Sequence, residues 1–187
     1  MNFPKRTHRA TEVMRSCRTI ARMPSSRLLR AGLLTAIVDG LFASVQSLIN
    51  GSTLTRLWQG VASVLLGKSA FDGGTRTALI GVLMHFGVAF AWSAIFLLLV
   101  SRWAWLRRVL GARGDVVTVA LVYGPLIWVL MSCAFIPLLL HGAPNITPRW
   151  WVQLLGHFPF VGLPIVVCIA HRRGGTNAQA LSPETVR

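Results

Sequence analysis

The sequence predicts an all-α membrane protein, because four stretches of the chain are long and apolar enough to cross a lipid bilayer. A spanning helix needs about 20 mostly apolar residues at a rise of about 1.5 Å each. Hydrophobic residues make up 53% of the chain and charged residues 13%, whereas a soluble domain carries roughly 25% charged residues. The predicted spans are Leu28–Ile49, Thr77–Val100, Val116–Leu140 and Trp150–Ala170.

The connections between these spans are short, so we expect one four-helix membrane domain over residues 28–171. Residues 1–27 are basic and predict a disordered cytoplasmic tail. A transit peptide, or a translation start at Met14 or Met23, would also account for this segment. Residues 172–187 are polar and predict a second disordered tail in the cytoplasm.

Positive charge is distributed unevenly among the segments that flank the spans. Of the 19 Lys and Arg residues, 15 lie on one side: 14 in the N-terminal segment, the second connection and the C-terminal segment, and Arg30 at the start of the first span. Cytoplasmic segments hold the excess of Lys and Arg in membrane proteins. The pattern therefore predicts a multi-pass protein of the inner (plasma) membrane with both termini in the cytoplasm. The four cations on the other side are Arg56, Lys68, Arg76 and Arg149.

The net charge of +14 is explained by the same distribution. Basic segments at the cytoplasmic face attract anionic lipid headgroups, without any need for nucleic acid. The expected partners are thus the lipid bilayer, anionic headgroups at the cytoplasmic face, and either another membrane protein or a second copy of the chain. No nucleic-acid partner is expected.

The first connection contains a predicted amphipathic helix over residues 53–66. Its apolar residues recur at the spacing of one helix face, with Gln59 on the opposite side. Ser52 or Thr53 is expected to cap its start, and Gly67 its end. The helix is too short to span, so we expect it on the outer face or tucked into the mouth of the bundle, with its tryptophan at the headgroup level. The residues expected to point inward are Leu57, Trp58, Val61 and Leu65.

Polar side chains inside the spans form the candidate site. Asp39 lies at the middle of the first span, where an aspartate costs about 2.5–3.5 kcal/mol, so it should face the bundle interior. Counted from the outer ends of their helices, Asp39 lies ~16 Å deep, His85 ~12 Å and His157 ~10 Å. We therefore predict a buried polar cluster of these three residues, with Gln46 and Asn50 on the helix face of Asp39.

Three interpretations of this cluster are open. It is a hydrogen-bonded group that fixes the helix register, a proton site on Asp39 with a histidine partner, or a metal or haem site on His85 and His157. Two histidines and one acid are a weak metal pattern. No catalytic, cofactor-binding or metal-binding residue is therefore assigned, and no cofactor is expected.

The spans also carry stripes of small and polar residues, as helix contacts in lipid require. Prolines interrupt the third and fourth spans and predict kinks there. The stripes are Gly81, His85, Ala89 and Ser93 in the second span, Gly124, Trp128 and Ser132 in the third, and Gln153 and His157 in the fourth. The prolines are Pro125, Pro137, Pro159 and Pro164.

Two stretches of sequence resemble a family of small four-span bacterial inner-membrane proteins. They are LWQGVASVLLGKSAFDGG (Leu57–Gly74) and ALIGVLMHFGVAFAW (Ala78–Trp92), and GHFPFVGLPIVV (Gly156–Val167) is similar to the last span of that family. The shared pattern is a QGxASxLLGxxAF[DE]GG loop followed by a span with a His-Phe pair. The resemblance implies four spans, and it implies no activity because none is assigned to that family.

The expected function is that of a non-enzymatic binding or accessory component of the membrane. The sequence has no phosphate-binding loop, dinucleotide-binding glycine pattern, His-Glu-x-x-His or Gly-x-Ser-x-Gly motif. One alternative is a small proton-coupled transporter that uses Asp39. The other is a haem- or quinone-binding oxidoreductase that uses His85 and His157. A visible absorption spectrum of the purified protein would distinguish this oxidoreductase from the other two functions.

Overall fold

The computed structural model describes residues 25–111 and 115–170, and within these ranges the chain is helical and contains no strand. Four helices are long and apolar enough to cross a membrane, which confirms the predicted fold class. They are joined by a short helix and a 3₁₀ turn in the first connection and by another short helix in the second. The helices are α1 (Ser25–Ile49), α2 (Leu54–Leu66), α3 (Gly74–Arg102), α4 (Ala104–Val109), α5 (Asp115–Leu140) and α6 (Pro148–Ala170), with the 3₁₀ turn at Gly67–Phe71.

Each long helix begins one to three residues before the apolar stretch that predicts it. Helix α1 begins at Ser25 rather than Leu28, and α3 begins at Gly74 rather than Thr77. Helix formation extends into polar flanking residues, whereas hydropathy detects only the part that belongs in hydrocarbon. The predicted tails lie outside the described residues, except for residues 25–27, which form the first residues of α1.

Two of the long helices contain a wider π-helical turn. These turns are Met131–Phe135 in α5 and Phe158–Gly162 in α6. A proline lacks an N–H group, and its ring crowds the carbonyl four residues earlier. For Pro137 and Pro164 that earlier residue lies inside the π turn, so the widened turn is how each helix accommodates its proline. The prolines predicted kinks in these helices, but they did not predict π-helical turns.

An apolar core fills the half of the bundle where α1 begins and α6 ends. Phe96, Ile165 and Ile169 are nearly fully buried there. Tyr123 is also buried, and its hydroxyl donates a 2.8 Å hydrogen bond to the carbonyl oxygen of Trp92. The polar end of this side chain is thus satisfied within apolar surroundings. The candidate polar cluster lies in the other half of the bundle.

Two pairs of helices approach closely at glycines of the predicted stripes. A Cβ atom on Gly81 of α3 would clash with the backbone carbonyl of Trp58 in α2. A Cβ atom on Gly124 of α5 would clash with the backbone carbonyl of His157 in α6 and would lie 3.0 Å from the amide of Gly162. The stripes therefore mark helix contacts, as predicted.

Helix α2 has the predicted caps, but its inward face differs from the prediction at two positions. The Thr53 side chain accepts a 3.1 Å hydrogen bond from the Arg56 amide, and Gly67 ends the helix with φ of 64°. Gln59 is 5% exposed and donates to the carbonyl oxygen of Gly74, whereas Leu65 is 65% exposed. The prediction that Leu65 points inward and Gln59 outward is therefore wrong.

Candidate functional site

Asp39 and His85 form a pair in the interior of the bundle. Their helices, α1 and α3, are packed together, and Asp39 Oδ2 lies 4.0 Å from His85 Nε2. Each side chain is only 15% exposed. The structure therefore places the carboxylate against the imidazole rather than against lipid, which agrees with the depth argument from the sequence.

A backbone carbonyl fixes the orientation of the His85 ring. His85 Nε2 lies 3.0 Å from the carbonyl oxygen of Ala36, one turn before Asp39 in α1. A carbonyl oxygen only accepts hydrogen bonds, so Nε2 carries a proton and donates it. The N–H group of His85 that lies nearest to Asp39 is thus already hydrogen-bonded to the backbone of α1.

Trp58 of α2 covers this pair. Its ring centroid lies 5.3 Å from that of His85. A Cβ atom on Gly40 would lie 3.4 Å from both the Trp58 ring and His85 Nε2, so the glycine allows the two rings to approach α1. Of the two positions that the sequence left open for α2, the structure favours the one tucked into the bundle.

His157 lies alongside the pair and has no hydrogen bond to it. Its Nδ1 atom donates a 2.7 Å hydrogen bond to the carbonyl oxygen of Gln153, and its ring centroid lies 4.8 Å from that of Trp128. The residue is 8% exposed. The structure thus pairs Asp39 with His85 and places the third predicted residue, His157 of α6, against Trp128 of α5. We refer to Asp39, His85, His157 and their immediate neighbours as the polar region.

Gln46 and Asn50 lie further along α1 than the pair. The Asn50 side-chain amide donates a 2.7 Å hydrogen bond to the Gln46 carbonyl oxygen. Both residues line a groove between the end of α1 and the start of α6. The helix face predicted from their spacing with Asp39 thus leads out of the polar region and into this groove.

Three buried side-chain atoms near these residues have no hydrogen-bond partner among the residues that the structure describes. They are Thr35 Oγ1, Asp39 Oδ1 and Trp128 Nε1. Thr35 lies one turn before Asp39 and is 2% exposed. An unsatisfied buried polar group costs about 1–3 kcal/mol. The polar region therefore has hydrogen-bonding capacity that the protein itself does not use.

The arrangement is suited to holding a proton or a polar group. Within residues 25–111 and 115–170, no group of three or more His, Cys, Asp or Glu residues is placed to hold a metal ion. His85 Nε2 and His157 Nδ1 both donate to backbone carbonyls, so the free lone pair of each neutral ring lies on His85 Nδ1 and on His157 Nε2.

Sequence reasoning missed the two tryptophans of the site. Trp58 was expected to point inward at the headgroup level and Trp128 to make a helix contact, and neither was expected beside a histidine, yet both rings lie against the histidines. Tryptophan is common at membrane interfaces, so its type alone did not distinguish these positions.

The fold and site together define an all-α helix bundle with four helices able to span a membrane and a carboxylate–imidazole pair inside it. No family model matches the chain, and neither does a curated protein or a solved structure. The family resemblance predicted from the sequence therefore stays a prediction.

Proposed function

We propose that the chain is a multi-pass protein of the inner membrane that serves as a non-enzymatic binding or accessory component, with both termini in the cytoplasm. The observation that carries this proposal is how short the described connections between the long helices are. Between them, the described residues form only short connections with the helices α2 and α4. The described residues thus offer mainly lateral helix surfaces to partners.

Helix α2 is the proposed docking element. One side of it is held on α3 through Gln59 and Ala62, and the other side leaves Leu54 44% and Leu65 65% exposed. An apolar side on a helix that is already fixed in place suits contact with lipid or with an apolar partner helix. The expected partner is another membrane protein or a second copy of this chain.

The docking role can be tested by copurification. Two differently tagged copies, or one tagged copy and its membrane partner, should copurify after extraction in mild detergent. Leu65→Ser should reduce the recovered complex about fivefold or more, since a leucine buried at an interface contributes roughly 1.5–3 kcal/mol. Leu121→Ser is the matched control, because Leu121 is 53% exposed on α5. Equal losses in both variants, or a monomer in the wild type, would contradict the proposal.

The orientation can be tested with reporter fusions. Fusions after Gly111 and after Arg173 should report a cytoplasmic location, and a fusion at Lys68 should report an external one. The physical reason is the excess of Lys and Arg in the segments assigned to the cytoplasm. An external signal after Gly111 would rule out this topology.

A second candidate function is small proton-coupled transport through Asp39. It is favoured by the 4.0 Å approach of Asp39 to His85 and by the buried Asp39 Oδ1 atom, which has no hydrogen-bond partner in the described part of the chain. An ionisable residue within a spanning helix is a functional-site hypothesis by default. Alternating protonation of this pair would give a carrier its coupling step.

Asp39→Asn separates a proton carrier from a structural cluster. An asparagine can still hydrogen-bond but cannot exchange a proton in this way, so a carrier should lose proton-coupled flux while its unfolding temperature stays nearly unchanged. The measurement uses vesicles loaded with a pH-sensitive dye and challenged with organic cations, amino acids and sugars. Asp72→Asn is the control, because Asp72 is exposed in the turn before α3. Equal flux in the wild type and in Asp39→Asn would contradict proton-coupled transport and would indicate that the Asp39–His85 pair is structural.

A further inference from the structure

A groove separates α1 from α6 at the end of the bundle where α1 finishes and α6 begins. Its volume is about 460 Å³, within the range of small-molecule sites. Apolar side chains line most of it, and Asn50 and Arg149 lie at the helix ends beside it. The apolar lining comprises Phe42, Val45, Ile49 and Val152.

The groove is closed at one end and polar at the other. At its closed end Phe42 packs against α6, where its ring stacks on Phe160 at 4.5 Å and fills the space beside Gly156. At its open end Asn50 and Arg149 are both exposed. The groove thus passes from an apolar floor to a cationic mouth along the direction of the two helices.

We propose that this groove binds an anionic phospholipid, with one acyl chain along the apolar floor and the phosphate beside Arg149. Arg149 is the only cation among the lining residues, and no carboxylate lines the groove. A guanidinium group pairs well with phosphate oxygens. Val45 and Ile49 are exposed on a helix of membrane-spanning length, so acyl chains are the apolar groups available to them.

This site is distinct from the basic segments that the sequence assigns to the cytoplasmic face. It lies at the opposite ends of α1 and α6, where the neighbouring connections hold few cations. Selectivity for an anionic headgroup would therefore depend mainly on one arginine. The proposal does not rest on the docking role of α2 or on proton exchange by Asp39.

Native mass spectrometry of the purified full-length chain tests the site. The wild type should retain phosphatidylglycerol in preference to phosphatidylcholine. Arg149→Gln should lower phosphatidylglycerol occupancy about fivefold, the effect of one cation near a lipid surface, and lower phosphatidylcholine occupancy less, because choline neutralises the phosphate of that lipid. Arg76→Gln is the matched control, because Arg76 is an exposed cation on the same predicted side and does not line the groove.

A second variant tests the acyl-chain part of the proposal. Val152→Trp should fill the groove and lower the occupancy of both lipids. Equal effects of Arg149→Gln and Arg76→Gln would show nonspecific attraction and overturn the proposal. Unchanged lipid binding in Val152→Trp would place the chain elsewhere, and a dimer that Val152→Trp dissociates would assign the groove to a second copy; either result overturns it.

Discussion

Gly81→Ala is expected to destabilise the protein by about 2–3 kcal/mol, the cost of overpacking a tight contact. The added Cβ would meet the backbone carbonyl of Trp58 and would lie 3.2 Å from the backbone amide of Ala62. Backbone atoms cannot turn aside as a flexible side chain can, so α2 would have to move away from α3. Thermal unfolding in detergent, followed by the yield of monodisperse protein, measures the effect.

Gly87→Ala provides the control within the same helix. A Cβ atom there has no neighbour within 4 Å, and alanine is the better helix former by up to about 1 kcal/mol. This variant should therefore be neutral or slightly stabilising. If Gly81→Ala unfolds at the same temperature as Gly87→Ala, α2 is not packed on α3 in the way described.

Gly124→Ala and Gly162→Ala are expected to cause losses of a similar size at the contact between α5 and α6. The first Cβ would meet the carbonyl of His157, and the second would meet the carbonyl of Ala120. Each variant forces the same two backbones apart. The double variant should therefore cost less than the sum of the single variants, by about 0.5–3 kcal/mol of coupling.

The control for this cycle is Gly60→Ala in α2, where a new Cβ has no neighbour within 4 Å. It should change the unfolding temperature little, and its effect should add to that of Gly124→Ala. Strict additivity between Gly124→Ala and Gly162→Ala would mean that the two glycines do not share one contact.

The spanning helices were predictable because length and hydropathy in a bilayer are strong constraints. The bounds of α2, Leu54–Leu66, also followed from local rules. A threonine that can cap the helix precedes its apolar residues, which recur at helical spacing, and a glycine that can end the helix follows them. These signals depend on neighbouring residues only. They required no knowledge of which helix lies beside which.

The inward face of α2 was not predictable by the usual rule for amphipathic helices. That rule places apolar residues on the protein side, because water lies on the other side. Next to lipid, an apolar side chain such as Leu65 loses nothing by facing outward. Small and polar residues such as Gln59 and Ala62 are then the ones that make close helix contacts and hydrogen bonds.

The candidate site was partly predictable for the same reason. The cost of a carboxylate at mid-membrane requires Asp39 to face inward, and comparable depth brings His85 beside it. Depth does not fix rotation about a helix axis. It therefore could not show that Gln46 and Asn50 lead into the groove, or that Trp58 and Trp128 lie against the histidines.

The π turn at Phe158–Gly162 sets the angular phase between the two halves of α6. Each residue of an α-helix turns the chain by about 100°, and the π turn takes up one residue beyond that period. Deleting one residue there would leave a continuous α-helix, with one half rotated relative to the other. Either His157 would leave Trp128, or Ile165 and Ile169 would leave the core. The number of residues in this helix is thus as constrained as their identity.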